Sequence, residues 1–311
     1  MPQLIGEPPG RITPVGELVN TLEVEAMAQR QLNSLTYAEI SGSDRRPFDR
    51  ITFRPRMMVN TTKLNLTLDL FGVSMFAPII AGPIADQKRF HPEGEAASAR
   101  GAAQAKAVIV VSEKSSCPIE QIASEAKAGF WYQVFPEFDK EKLRAAIGAG
   151  CKALCITLSD QAADWKAIDA VRQGDKMPVL LKGIMNAEDA TAAVKHGVQA
   201  IVASNYVGSN VTGLASPMEV LPGIVEAVGG KIPVLIDGSF RRGSDILMAL
   251  ALGAKAVLVA RPVVWGLAAY GSDGARQVLE LLQTELARDM AMCGKVDLKA
   301  IDRSTVRVHK W

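Results

Sequence analysis

Two arginines lie in segments whose residue types suit phosphate binding. The run Val-Leu-Ile-Asp-Gly-Ser-Phe-Arg-Arg-Gly at 234–243 and the run Ala-Val-Leu-Val-Ala-Arg-Pro at 256–262 are each a short apolar stretch that ends in small and basic residues and opens into a helical pattern. In a parallel α/β barrel, such turns aim backbone N–H groups and a helix N-terminus at one anion, and arginine adds a fixed, bidentate charge. Arg241 and Arg261 are therefore candidates for neutralising the phosphate of a cofactor. For either arginine alone, a surface ion pair is the plain alternative.

Lys182 is the most informative single residue. It ends the apolar run Val-Leu-Leu at 179–181 with glycine next, which points its ammonium into a barrel mouth. There it can hold charge on a delocalised anion. Gln133 and Thr157 end other apolar runs and can hydrogen-bond a flat heteroaromatic ring. Further ends carry Asp86, Ser112, Glu113, Lys114, Asp160, Ser204, Tyr206 and Asp237. Each alone is equally a rim charge or a structural hydroxyl, but polar residues at so many ends together suggest one site.

Positioning these groups takes strands. Eight apolar runs rich in Val, Ile and Leu occupy 77–81, 107–111, 129–134, 153–157, 178–181, 200–203, 233–236 and 256–259. Most lack alternation, as strands buried on both faces do. Amphipathic helical patterns lie between them, for example at 92–106, 140–148, 187–195 and 244–252. Asn186 stands at an N-cap with Gly197 closing that helix, and Ser244-Asp245 starts another that Gly253 ends. The alternation predicts an α/β fold of the TIM (β/α)8 type, since no Gly-x-Gly-x-x-Gly fingerprint follows the first strand. The 311 residues suffice, because such barrels take roughly 250. Residues 1–75, helical over 15–40 with short strands over 51–70, are read as an N-terminal extension and cap of one domain spanning 1–311. The polar segment beyond Gly294 is expected to run over the surface.

A net charge of +2 with scattered basic residues gives no reason to expect nucleic acid or membrane as partner. No apolar run is long enough to span a bilayer, and no signal-peptide pattern is visible, so a cytoplasmic location is expected. Cys151 and Cys155, four apart in one expected strand, read as small core hydrophobes, and with Cys117 and Cys293 the only others, no disulfide framework is expected. No His/Cys cluster has metal-ligand spacing, so no metal is expected.

The chain resembles the FMN-dependent α-hydroxy-acid oxidase and dehydrogenase family from about Val24 to Lys299. The resemblance is carried by Phe-Arg-Pro-Arg at 53–56, His-Pro-Glu-Gly-Glu at 91–95, Leu-Lys-Gly at 181–183, Arg-Arg-Gly-Ser-Asp at 241–245 and Arg-Pro-Val-Val-Trp-Gly-Leu-Ala at 261–268. It implies FMN as cofactor. The backbone at Pro83, Ile84 and Ala85 would then lie against the flavin ring, with Ser112, Gln133, Thr157 and Ser204 at polar contact positions. Lys182 matches the lysine facing flavin N1 and O2. Asp237, Gly238, Ser239 and Arg241 match the phosphate and ribitol loop, and Ala260 with Arg261 the pair after strand eight. Ser239 and Ala260 stand where the family has glycines and would crowd the cradle slightly. Family members are often tetramers, which implies a homo-oligomer.

The family's substrate machinery is not matched. Its Ser-Asn-His-Gly-Gly-Arg-Gln motif aligns with Ser-Asn-Tyr-Val-Gly-Ser-Asn at 204–210, so Tyr206 replaces the catalytic histidine and Ser209 the carboxylate-binding arginine. Phe135 replaces a tyrosine, Ser159 the aspartate that orients the histidine, and Lys114 a tryptophan of the glycolate oxidases. The loop after strand four, which carries a second substrate arginine, is cut down to 160–174. Tyr37 lies close to the family's N-terminal substrate tyrosine. Phenols titrate near 10 and imidazoles near 6.5, so the exchange removes a base at neutral pH, at a cost in rate of about 10²–10⁴. The expected function is an FMN-dependent oxidoreductase acting on a different small molecule. Tyr206 would be the proton donor beside Lys182, with Tyr37, Asp86, Lys114 and Phe135 near the substrate. An FMN-binding protein without hydroxy-acid turnover, serving as sensor or store, and a barrel holding another phosphorylated ligand are the alternatives.

Overall fold

The computed structural model describes residues 11–158, 165–172, 177–206 and 213–309. Strands β1 (Ile79–Ala81), β2 (Ile109–Ser112), β3 (Phe130–Val134), β4 (Leu154–Thr157), β5 (Val179–Ile184), β6 (Ala200–Ala203), β7 (Val234–Asp237) and β8 (Ala256–Val259) form a closed barrel. Every pairing in it is parallel, and β8 closes on β1 with Val257 opposite Ile79. This is the TIM barrel expected from the eight apolar runs. The main difference lies in β5, which does not stop at Leu181. Gly183 adopts φ 116°, the register shifts between Lys182 and Ile184, and the strand continues past this bulge.

Side chains alternate across each strand, so one set faces the barrel axis and the other the helices. Ile80, Val110, Trp131, Cys155, Leu180, Val202, Leu235 and Leu258 share one buried cluster. Ile79, Ile109, Ile156, Leu181, Ile201, Ile236 and Val257 belong to the other, with the helices. The hairpin Leu68–Leu70 to Val73–Met75 adds Leu68, Leu70, Val73 and Met75 to the interior cluster, beside Val108, Ala153 and Ala200. It closes the N-terminal end of the barrel and leaves the opposite end for chemistry. Cys151 lies just before β4, not within it; all four cysteines are free and buried.

Helices α1 (Thr21–Gln31), α2 (Ser34–Ile40) and α3 (Arg46–Asp49) form the N-terminal cap. The barrel helices include α4 (Gly94–Gln104), α5 (Ile119–Glu125), α6 (Lys140–Gly148), α7 (Trp165–Arg172), α8 (Ala187–Lys195), α9 (Pro217–Val228), α10 (Gly243–Ala251) and α11 (Arg261–Met292). Asn186 caps α8 by accepting from Asp189 N at 2.7 Å. The cap packs on α11, where Trp265 Nε1 donates to Ile40 O at 3.0 Å. The C-terminal segment does more than run over the surface. Its strand Val306–Val308 pairs antiparallel with Ile51–Phe53 and ties the chain's two ends together.

Helix α11 bends at Tyr270–Gly271, which brings Gly266 against Gly274. A Cβ on Gly266 would lie 2.2 Å from Gly274 O, whereas one on Gly16 would meet nothing within 4 Å. Gly266→Ala is expected to destabilise the fold by about 1–3 kcal/mol, and Gly16→Ala to leave it unchanged. Denaturant melts of the two variants check this.

Candidate active site

A single step of the strand period converts the apolar interior into a polar floor. Two residues beyond the interior side chains of β1 to β8 stand Gly82, Ser112, Gln133, Thr157, Lys182, Ser204, Asp237 and Ala260. The register sets Ser112 opposite Gln133 and Thr157 opposite Lys182. Gln133 Nε2 donates to Thr157 Oγ1 at 2.7 Å. Lys182, 2% exposed, donates to Ser204 Oγ at 3.0 Å and pairs with Asp237 Oδ2 at 2.8 Å. Desolvating an ammonium is tolerable only with such partners.

Beyond β7 the chain turns through Gly238 at φ 105° and Ser239 at φ 61°. The serine offsets this left-handed backbone with a contact glycine lacks, its Oγ accepting from Asp44 N at 3.0 Å, while its backbone carbonyl accepts from Arg45 at 3.1 Å. The hydroxyl is thus turned to the cap. Ala260 directs its methyl at β1, where a Cβ on Gly82 would come within 3.1 Å of it.

Arg241, 3% exposed, and Arg261 follow. Arg241 donates to Phe240 O at 2.9 Å and Gly42 O at 3.0 Å, and its guanidinium lies 4.5 Å over the Trp265 ring. Arg261 donates to Ser41 O at 3.1 Å and Gly42 O at 2.6 Å. Burial, and then the charge of Arg261, pushes Arg241 down to about 9; burial lowers Arg261 as well. Both stay charged at neutral pH, and among the described residues neither forms an ion pair with a carboxylate. Nearby Asp245 is committed elsewhere, accepting from Arg241 N at 2.8 Å, Arg242 N at 2.9 Å and the Arg45 guanidinium at 2.6 and 2.8 Å. A buried and a half-buried guanidinium with no carboxylate in direct contact among the described residues form a candidate anion site.

One cavity of about 630 Å³ joins this cradle to the barrel mouth. Pro83, Ile84 and Ala85 line one side, Gln133 and Lys182 the floor, and Lys114, Phe135 and Tyr206 the rim. Thr157 and Ser204 stand behind Gln133 and Lys182 as their hydrogen-bond partners. Two of the substrate candidates are not brought here. Tyr37 turns to Glu25, donating to Oε1 at 3.2 Å, because the helical phase of α2 presents Ala38 and Glu39 to the cavity instead. Asp86 takes φ 51°, is exposed, and lies 3.8 Å from Arg89 without lining the cavity itself. Ser159, Asp160 and Ser209 lie outside the described residues.

The sequence left two supports unassigned. Glu95 accepts from Gln87 N at 2.9 Å, Ser116 N at 2.9 Å and Ser116 Oγ at 2.7 Å, and so joins the loops after β1 and β2. Glu113 accepts from Phe135 N at 3.1 Å through one oxygen, while its other oxygen is buried without a partner. Burial pushes this carboxyl above its ordinary value, against the pull of backbone donors and of Lys114. No histidine lines the cavity. His91 sits against Gly271, His196 stacks on Trp165 at 3.7 Å, and His309 lies 3.1 Å from Thr52 Oγ1.

The FMN-dependent dehydrogenase family model matches residues 24–159 and 157–308. The match breaks directly after β4. A peroxisomal (S)-2-hydroxy-acid oxidase of Oryza sativa subsp. japonica is 34% identical over 349 aligned positions, covering 93% of this chain and 95% of that protein. An L-lactate oxidase of Nostoc sp. is 33% identical over 362 positions, covering 94% of this chain and 99% of that one. Both alignments are longer than the 311-residue chain, which therefore lacks segments these relatives carry. The crystal structure of mandelate oxidase superposes with a TM-score of 0.88 at 33% identity, covering 94% of this chain and 100% of that one.

Glu113 allows a pH test. Its folded-state pKa lies above the unfolded value near 4.5, so the folded form binds the extra proton and stability falls as pH rises through that window. Glu113→Gln removes the buried charge. The variant is expected to melt above the parent at pH 7–8, with the advantage shrinking as pH falls toward 4.5. Paired melting curves across this range decide it.

Proposed function

We propose that this chain, which belongs to the FMN-dependent dehydrogenase family and is an FMN-dependent oxidoreductase, acts on a small molecule other than the 2-hydroxy acids named for its relatives. Membership rests on a family match running from residue 24 to residue 308. The observation that carries the substrate reading is Tyr206 at the end of β6, its ring 5.0 Å from the Lys182 ammonium, with no imidazole on the cavity wall.

The residues present fit the cofactor. Arg241 and Arg261 supply the charge a phosphate needs, and the turn at Gly238 and Ser239 leaves room beside them. Ser112, Gln133 and Lys182, backed by Thr157 and Ser204, offer donors to a heteroaromatic ring, and the backbone at Pro83–Ala85 offers a flat wall. Bound FMN supplies the two-electron chemistry of its ring. Lys182 sets a fixed positive charge at the floor, where developing negative charge is stabilised without reorganisation. Asp237 and Ser204 keep that ammonium in place. Tyr206, 53% exposed, presents a phenol where the family motif has an imidazole. It is suited to give a proton to a product being reduced and poorly suited to take one from a hydroxyl.

The break in the family match after β4 and the alignment lengths support a shortened loop there, which removes the second arginine expected to grip a carboxylate. Ser209 in place of the first leaves no bidentate partner from that motif.

Two outcomes are expected. Arg241→Met should weaken FMN binding about 10²-fold, because it removes a buried partner of the phosphate, as read by flavin fluorescence titration. Anaerobic mixing of the holoprotein with glycolate, L-lactate or mandelate should leave the flavin absorption oxidised. Rapid bleaching would sink the reading. The double change Tyr206→His with Ser209→Arg should give weak bleaching at most, since the loop arginine is still missing.

A further inference from the structure

Because every pairing in the barrel is parallel, α4 to α10 all run back from the mouth to the end where the strands begin. Whatever charge a helix favours at each terminus is therefore summed around the barrel. Acids stand in first turns, as Glu120, Glu141, Glu188 and Glu219 do, and they gather toward the mouth. Lysines stand at the other ends. Lys106 follows α4, Lys127 follows α5, Lys152 follows α6, Lys195 ends α8, Lys231 follows α9 and Lys255 follows α10, each just ahead of the next strand. Since β1 to β8 close in chain order, these six circle the end of the barrel opposite the cavity. Basic residues scattered along the sequence are collected by the fold, and a net charge of +2 conceals the separation.

A helix C-terminus favours a cation, which explains each lysine taken singly, but that effect is confined to the last turn. A lysine stem carries its ammonium outward from there. All six side chains are exposed, and among the described residues none forms an ion pair. Of the acids nearby, Glu125 is held by Arg100 at 3.0 Å, while the exposed Asp69 and Glu226 are outnumbered. Between Lys106 and Lys127 lies an open groove of about 510 Å³, which Thr67, Ser74 and Phe76 also line. Phe76 is 48% exposed, although its N–H is fixed on Lys106 O at 3.0 Å. Lys106 itself is held at φ 52°, where a glycine would be unstrained.

We propose that this end of the barrel docks on an anionic bilayer surface, with the lysine ring over the headgroups and Phe76 entering between them. Shape and charge together choose the partner. A closed ring of point charges can meet a plane with all its members at once, whereas a nucleic-acid duplex is followed by a stripe of cations. Lysine stems lie along apolar surface while their ammonium groups stay in the polar layer. An exposed ring beside cations suits the same boundary, where an apolar side chain enters between headgroups. The mouth then faces water, so docking leaves turnover unaltered.

The test sediments the full-length holoprotein with vesicles of phosphatidylcholine alone and of phosphatidylcholine mixed with phosphatidylglycerol at roughly two to one. Binding to the mixed vesicles and not to the neutral ones is expected, with loss at about 0.5 M salt, where charges are screened within a few ångströms. The triple variant Lys106→Gln, Lys127→Gln, Lys152→Gln should weaken binding about 10²-fold, since each lysine near an anionic surface is worth roughly fivefold. The triple variant Lys88→Gln, Lys140→Gln, Lys166→Gln makes the same change of charge toward the mouth end and should alter binding by less than about twofold. Phe76→Ser should weaken it about fivefold. No sedimentation with the mixed vesicles, equal losses in the two triple variants, an unchanged affinity in Phe76→Ser, or tighter binding to a DNA duplex than to the mixed vesicles would each overturn the proposal.

Discussion

The guanidinium groups of Arg241, buried, and Arg261, half-buried, share one corner with no carboxylate paired to them among the described residues, and much of the surrounding structure serves to keep them there. Like charges at close range in a medium of low permittivity repel strongly, so the arrangement needs support from outside the pair. Carbonyl oxygens of Ser41 and Gly42 give partial relief, and the face of Trp265 gives more. Both the carbonyls and the Ile40 oxygen that holds Trp265 come from the N-terminal cap. Asp245 binds the cap through Arg45 while accepting from the N–H groups of Arg241 and Arg242. The cap is therefore a wall of the anion cradle. Its serine at 239, strained in the left-handed region, is explained by the same link, since its Oγ accepts from Asp44.

The floor of the site follows from a different constraint. A strand alternates faces, and eight strands in a barrel bring eight inward positions to the same end. Where the inward residue is Ile80, Val110, Trp131 or Leu180, the barrel is a packed core. Two residues on, Ser112, Gln133 and Lys182 are still inward but border a cavity, so polarity there carries a use. Burying Lys182 is costly, and its two partners, Ser204 just after β6 and Asp237 on β7, make it a strut between strand ends as well as a charge.

That periodicity explains what was legible in the sequence. The eight strands, the helices at 140–148 and 187–195, and the Asn186 cap were readable because local pattern and burial agree there. The inward set could be found by counting in twos from any interior residue. Other features were not local. Tyr37 and Glu39 differ in exposure to the cavity through the phase of one short helix, which sequence spacing near a loop does not fix. The bulge at Gly183 needed a backbone angle, and the Val306–Val308 strand needed a partner more than 250 residues away, both invisible to a window of neighbouring residues. The role of Glu113 depends on Phe135, 22 residues later, so its ionisable character was evident and its partner was not.

On the proposed reading, the departures in the substrate machinery that the structure describes fall at one end of the cavity, while Ser239 and Ala260 are small departures at the phosphate end. On the proposed reading, the cofactor is held by strand ends and by the start of α10 and α11, while Lys114, Phe135 and Tyr206 sit on the loops that follow β2, β3 and β6. Changes on those loops alter what enters without disturbing the packed layers beneath, where a mismatch of even one methylene is felt. Decay through indifferent substitution would have no reason to respect that boundary. It would strike the buried Lys182–Asp237 pair or the Asp245 hub as readily as an exposed tyrosine, and either loss would leave a buried charge unpaired. The intact hub and the intact pair are what the proposed reading requires of a cradle that still holds its cofactor.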